Sequence, residues 1–169
     1  MHHELARESQ RPLVLAIGFF DGFHRGHREL ARNALRMRRP GWRCGVLTFA
    51  EHPAAFLRPG NEPPLLTTPS ERVDLFAQAG FEECFLIAFD ERIALMSPAD
   101  FLDALVQQLN VRGIAVGATF RFGHKRAGDV GFMQSYLSSS GVAIVPVENV
   151  SEGGERISST RIRALVAEG

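Results

Sequence analysis

Five runs of mostly apolar residues recur along the chain, at 13–17, 43–49, 83–88, 113–117 and 142–147. Apolar positions without alternation over runs this short predict strands buried on both faces. Helical periodicity fills the intervals. In 28–37 the residues Leu30, Ala31, Ala34 and Leu35 share one face, as a period of 3.6 requires. The segment 69–79 opens on Thr68-Pro69-Ser70-Glu71, a capping box with proline at the first helical position. The segment 98–109 opens on Ser97-Pro98-Ala99-Asp100 and sets Phe101, Leu102, Leu105, Val106 and Leu109 on one side. Further helices are predicted at 130–137 and from 159 toward 168. Strands alternating with helices predict an α/β fold, a Rossmann-like doubly wound parallel sheet of about five strands covered by helices on both faces. Three loops rich in proline or glycine, 52–68, 118–131 and 150–158, each follow a strand. They should open on one edge of the sheet, where ligands of such folds bind.

Composition narrows this picture. A chain of 169 residues with 45% hydrophobic content fits one domain, placed at 12–169 behind a flexible stretch at 1–11. Lys plus Arg and Asp plus Glu both number 19, which speaks against a nucleic-acid or membrane-surface binder, since those carry a basic excess. Arg32, Arg36, Arg38 and Arg39 read as a solvated helix face, whereas Arg25 and Arg28 stand beside the candidate chemistry described next. Cys44 and Cys84 form no metal or redox spacing and read as small buried hydrophobes in a reducing compartment. No run approaches the ~18 apolar residues of a membrane span, and 1–10 lacks a signal-peptide core. The expected location is the cytoplasm.

The candidate chemistry begins where the first strand ends. Gly18-Phe19-Phe20-Asp21-Gly22-Phe23-His24-Arg25-Gly26-His27 joins that strand to the first helix, a layout that aims backbone N–H groups and a helix N-terminus at an anion. It is neither a Walker A loop nor a dinucleotide fingerprint. Its distinctive feature is two histidines flanking Gly26; imidazoles donate to phosphate oxygens, and Gly26 permits close backbone approach. Either histidine alone reads equally well as a buried structural group. A second constellation, Ile157-Ser158-Ser159-Thr160-Arg161-Ile162-Arg163, is a helix N-cap that also has the makings of a polyphosphate clamp. Arg161 and Arg163 diverge by about 160° on a helix, so one of them should face the site.

His24-Arg25-Gly26-His27 and Ile157–Arg163 resemble the HxGH and ISSTxxR motifs of the nucleotidylyltransferase superfamily. The whole stretch from Gly18 to His27 is similar to the G-x-F-D-G-x-H-x-G-H signature of bacterial FAD synthetase. Thr48-Phe49-Ala50-Glu51-His52-Pro53 resembles the TFxPHP segment of that family, and Gly117-Ala118-Thr119-Phe120-Arg121-Phe122-Gly123 with Gly128-Asp129 resembles its GxDFRFG…GD loop. Three positions depart from the family pattern: Phe19 replaces asparagine, Glu51 replaces proline, and Thr119 replaces an acid or amide. The resemblance implies adenylyl transfer from ATP to FMN, giving FAD and pyrophosphate, with His24, His27 and Arg163 catalytic. It places Gly18, Phe19, Phe20, Asp21, Gly22, Gly26, Ser159 and Thr160 on ATP and its phosphates. It places Pro53, Thr119, Phe122 and Gly123 on the flavin, with one of Phe120 and Phe122 facing the ring and the other packing inward. Mg2+ is expected to bridge substrate oxygens, and no protein ligands for it are assigned. Asp21 reads alternatively as a residue that orients the loop. The family's riboflavin kinase domain has no counterpart in this sequence, leaving open a stand-alone enzyme or half of a bifunctional one with the kinase as a missing partner. Two other readings stay open: a related transferase with another phosphorylated acceptor, and a nucleotide-binding module without catalysis.

Overall fold

The computed structural model describes residues 11–169. The expected flexible stretch at 1–11 therefore lies outside the described residues except for Arg11.

Five strands, β1 (Leu13–Ile17), β2 (Arg43–Phe49), β3 (Glu83–Ile87), β4 (Val111–Gly117) and β7 (Ala143–Val147), form one sheet in the order β3-β2-β1-β4-β7. Every pairing is parallel. The helices are α1 (Arg25–Met37), α2 (Pro53–Leu57), α3 (Pro69–Ala79), α4 (Glu91–Leu95), α5 (Pro98–Leu109), α6 (Val130–Tyr136) and α7 (Ser159–Glu168). The chain grows outward from β1 through β2 to β3, then returns to β1's other side with β4 and β7. The sheet thus reverses its order between β1 and β4, and that switch point opens a crevice at the carboxyl ends of these two strands.

Alternation along β1 shows how the core is divided. Leu13, Leu15 and Ile17 pack with Phe101, Leu102 and Leu105 of α5 and Met133 of α6. Val14 and Ala16 face the other way, onto Leu30, Ala31 and Ala34 of α1 and Phe76 of α3. No residue of β1 is more than 1% exposed, and each large aliphatic so buried contributes roughly 1.5–3 kcal/mol. At the opposite, amino end of the sheet, Arg43 donates to Glu83 (2.8 Å) and to the Leu109 carbonyl (3.0 Å), fastening β2, β3 and the end of α5 far from the crevice.

The helix starts at 68 and 97 have the expected caps: Thr68 and Glu71 form a reciprocal capping box, and Ser97 caps α5. Helix α1 starts three residues earlier than its apolar periodicity indicates, because His24 acts as the N-cap, a residue type outside the usual Ser/Thr/Asp/Asn set. The three long loops also carry structure of their own. Helix α2 lies in 52–68, capped by His52 with Pro53 in its first turn. A two-residue hairpin, β5 (Arg121–Phe122) with β6 (Gly128–Asp129), lies in 118–131, and a second, β8 (Ser151–Glu152) with β9 (Glu155–Arg156), in 150–158. Both hairpins are too short for period-2 alternation to announce them.

The β5–β6 hairpin is held down tightly. The His124 amide donates to the Met96 carbonyl at 2.7 Å. Gly123 sits at φ +73°, where a Cβ would lie 2.6 Å from Pro98 Cγ and 2.7 Å from its nitrogen. Gly123→Ala should therefore lower stability by about 1–3 kcal/mol through left-handed strain and overlap, read as a fall in the urea midpoint at unchanged m-value.

Candidate active site

Two hydrogen bonds hold the end of β1 against its neighbours. Thr48, itself fully buried, donates to the Phe19 carbonyl at 2.9 Å, and Arg72 of α3 donates to the same oxygen at 2.9 Å. Beyond this point the chain turns sharply. Phe20 and Phe23 both have positive φ, +58° and +36°, an uncommon conformation for bulky residues that persists only where surroundings enforce it. The enforcement is burial: Phe20 and Phe23 are 1% and 5% exposed and lie edge-on against Phe76.

His24 then caps α1. Its Nδ1 accepts from the His27 amide at 3.4 Å, so in the neutral ring the proton sits on Nε2, which is left as a donor. The His24 and His27 rings stack with centroids 3.6 Å apart and planes 17° off parallel, and Phe20 closes against His27 edge-on at 5.3 Å. The His27 Nδ1 is buried with no hydrogen-bond partner. Burial, reinforced by the nearby His24, depresses the His27 pKa to about 3, against a weaker upward pull from Asp21. His24 is also held below its ordinary value, by burial first and then by the charge of Arg156. Near neutral pH the pair is uncharged, and each ring offers one N–H.

Helix α7 comes to this loop from the far end of the chain. Ser158 caps it, accepting from the Arg161 amide at 3.3 Å. Ser159 Oγ donates to the Asp21 carbonyl at 2.8 Å. Arg163 forms an ion pair with the Asp21 carboxylate and donates to the Pro64 carbonyl at 2.6 Å, whereas Arg161 pairs outward with Glu155. Asp21, 1% exposed, also accepts from the amides of Leu66 (2.9 Å) and Thr67 (3.0 Å). Burial pushes its pKa up, but those two amides and Arg163 outweigh it and keep the carboxyl below its ordinary value.

These elements line an open cavity of about 360 Å³ at the β1/β4 crevice, termed polar for the side chains it presents beside apolar ones, bordered by Gly18, Phe19, Phe20, His24, Gly26, His27, Ser159, Thr160 and Arg163. Thr119 and His52 line it as well. Asp21 and Gly22 do not; Asp21 lies behind the wall, and Gly22, at φ +77°, donates its amide to Thr67 Oγ1 at 2.9 Å. Arg25 and Arg28 also lie off this cavity: Arg25 pairs with Glu152 on the surface and Arg28 donates to the Phe23 carbonyl. Sequence reasoning missed Arg156, which lines the cavity and makes no side-chain hydrogen bond or ion pair among the described residues. The available signal was a cation directly preceding the Ile157-Ser158-Ser159 run.

An apolar cavity of about 530 Å³ adjoins the polar one, lined by Phe49, Pro53, Phe56, Phe89, Phe120, Phe122 and Gly123 among others. Ile17 and Phe120 line both. Phe120 and Phe122 both line this cavity, and they are buried to different depths. Phe120 ends the turn after β4 and Phe122 lies in β5, and the two rings stack at 5.7 Å, 15° off parallel. Phe122 is the more deeply buried, 6% exposed and packed on Phe101. Among the described residues no group of three His, Cys, Asp or Glu is arranged to hold a metal ion.

The depressed histidine has a consequence for folding. His27 is neutral in the folded protein down to about pH 3, whereas an unfolded histidine protonates near 6.5. Stability should therefore be complete above pH ~6.5 and fall with acid, by up to about 1.4 kcal/mol per pH unit between those limits. Urea midpoints measured from pH 7 to 4 should slope this way in the native protein and more shallowly in His27→Asn.

Comparison with known proteins agrees with this architecture. The family model described as FAD synthetase matches residues 6–161. The bifunctional riboflavin kinase/FMN adenylyltransferase of Escherichia coli K12 is 35% identical over 168 residues, 98% of this chain and 54% of that protein; the Bacillus subtilis protein of the same name is 32% identical over 99% of this chain and 53% of its own length. A Geobacillus thermodenitrificans protein provisionally given that name is 38% identical, covering 92% of this chain and 83% of that one. A crystal structure described as a macrolide-efflux protein from Streptococcus pneumoniae superposes with a TM-score of 0.82 at 28% identity, over 94% of this chain and 53% of that one. The chain thus spans about half the length of the E. coli and B. subtilis relatives it matches, and it belongs to the FAD synthetase family.

Proposed function

We propose that this chain is an FMN adenylyltransferase, moving the adenylyl group of ATP onto the phosphate of FMN. A phosphate oxygen of FMN attacks the α-phosphorus, the bond to the β-phosphate oxygen breaks, and FAD and pyrophosphate leave. The observation that carries this reading is the junction of a polar cavity, ringed by hydroxyls, imidazoles and arginines, with an aromatic one at Ile17 and Phe120. A flat, apolar acceptor with a phosphorylated tail fits across such a junction, ring among the phenylalanines and phosphate toward the histidines. The FMN adenylyltransferase activity in the relatives' names supports the same acceptor. The kinase activity in those names we assign to the part of them that this chain does not match.

Transfer between phosphates needs positioning and charge stabilisation more than proton transfer, since the nucleophile is already an anion. The His24 Nε2–H, fixed by the cap, and the neutral His27 would donate to phosphoryl oxygens where charge builds up. Ser159 and Thr160 would hold the outer phosphates, with Arg156 and Arg163 supplying countercharge. Arg163 is oriented for this by Asp21 in advance. Mg2+ would arrive with ATP as part of the substrate, and no protein ligand set is assigned to it. Cytoplasmic operation is consistent with two free cysteines, of which Cys44 is buried and raised to a pKa of about 11.

The purified protein given ATP, Mg2+ and FMN should produce FAD, seen as loss of flavin fluorescence and by chromatography. His24→Ala and His27→Ala should keep their circular dichroism and lose on the order of 100-fold or more in kcat. Turnover with a different phosphorylated acceptor but not FMN, or nucleotide binding with no turnover, would overturn the proposal.

A further inference from the structure

One buried charge has no role in the reaction just described. Arg72, on α3, is 0% exposed. Its Nη1 donates to the carbonyls of Phe19 (2.9 Å) and Phe49 (3.0 Å), and its Nη2 to that of Ala50 (2.9 Å). Its Nε is buried with no hydrogen-bond partner, and none of the ion pairs among the described residues includes it. Burial works against the charged form, yet a guanidinium stays protonated. A buried cation is ordinarily matched by an anion, because desolvating it alone is costly. Its direct partners are all neutral, the three carbonyls and the Thr48 hydroxyl at 3.5 Å, and the carboxylate that favours its charge from further off, Asp21, is already paired with Arg163.

What lies on the guanidinium's open side is the Phe19 ring, 4.6 Å away. That ring touches His52 edge-on at 4.8 Å, and Phe19 and His52 both line the polar cavity. Phe19 therefore both contacts the cation and lines the space assigned to polyphosphate. The carbonyls that Arg72 grips belong to the ends of β1 and β2, the two strands that carry the histidine loop and the His52 loop.

We propose that bound polyphosphate supplies Arg72 with the counter-charge that Asp21, shared with Arg163, gives it only in part, and that Arg72 is a positioning residue that couples anion binding to the spacing of those two loops. This rests on the reading of the polar cavity as a triphosphate site. It also gives Phe19 a purpose: a polar side chain there would not present a ring face to the cation.

Opposite unit charges about the thickness of one side chain apart, at an effective dielectric near 20, shift an equilibrium by on the order of 10- to 30-fold. Inorganic pyrophosphate, titrated calorimetrically, should therefore bind Arg72→Gln about 10- to 30-fold more weakly than the native protein, and Arg72→Lys, which keeps the charge, far closer to native. FMN binding should change little in either variant. In turnover, KM for ATP should rise in Arg72→Gln while KM for FMN does not. Equal weakening in both variants, or native affinity in Arg72→Gln, would show a merely structural or absent role and overturn the proposal. Failure of the native protein itself to bind pyrophosphate would instead remove the triphosphate reading beneath it. Should the variants not fold, the native protein still decides the matter. The Arg72 Nε–H resonance should shift on pyrophosphate and not on adenosine; no shift, or an equal shift with both, refutes the coupling.

Discussion

A carboxylate from which water is excluded must be satisfied by the protein or remain uncharged. Asp21 meets that demand with amides at 66 and 67 and a guanidinium at 163. Those partners come from two distant parts of the chain, with sequence separations of 45 and 46 residues for the adjacent amides and 142 for the guanidinium. Satisfying one buried charge therefore brings the histidine loop, the strap before α3 and the last helix to a common point. The Ser159 hydroxyl and the Gly22 amide tighten the same junction through the Asp21 carbonyl and Thr67. Removing any one partner would leave the carboxylate short of donors, so the site is assembled cooperatively rather than contact by contact.

The histidines stay neutral in spite of this junction, because they are buried. Asp21 lies close enough to favour their charged forms, but burial dominates both rings, and Arg156 opposes protonation of His24. Neutral imidazoles are poor long-range attractors and good directional donors. On the proposed function, attraction of the anion would fall to Arg156 and Arg163, which line the same cavity, and orientation to the stacked rings. Because the cap on α1 fixes which His24 nitrogen carries the proton, its donor direction is set by folding before any substrate arrives.

Much of the fold was legible because its signals are local. Unbroken apolar runs gave the five parallel strands, and the capping sequences at 68 and 97 gave two helix starts to the residue. The start of α1 was hidden, since a histidine cap looks like a functional histidine and here it is both. Helices α2 and α4 are only five residues each, shorter than two turns, and periodicity needs more. In the site, residue types at short spacing were readable, but the division of labour was not. Asp21 adjoins the phosphate residues in sequence yet serves them from behind. Arg72 gave no sign of itself at all, because a charged residue in an amphipathic helix reads as surface unless the carbonyls it will meet are known.

The segment after β4 shows how a doubly wound sheet turns one crevice into two chemically different spaces. At the switch point the loops from β1 and β4 lead to opposite faces of the sheet, and a gap between them follows from topology alone. What divides the gap is side-chain chemistry along 119–123. Thr119 faces the polar cavity, Phe120 stands at the boundary and lines both, and Phe122 with Gly123 belongs to the apolar side. The hairpin that carries the last of these is clamped to the end of α4 and the start of α5 through His124 and Gly123, which fixes one side of the aromatic wall. On the proposed function, choice of acceptor would belong to this short segment and to α2, because no residue of the histidine loop, 18–27, lines the apolar cavity.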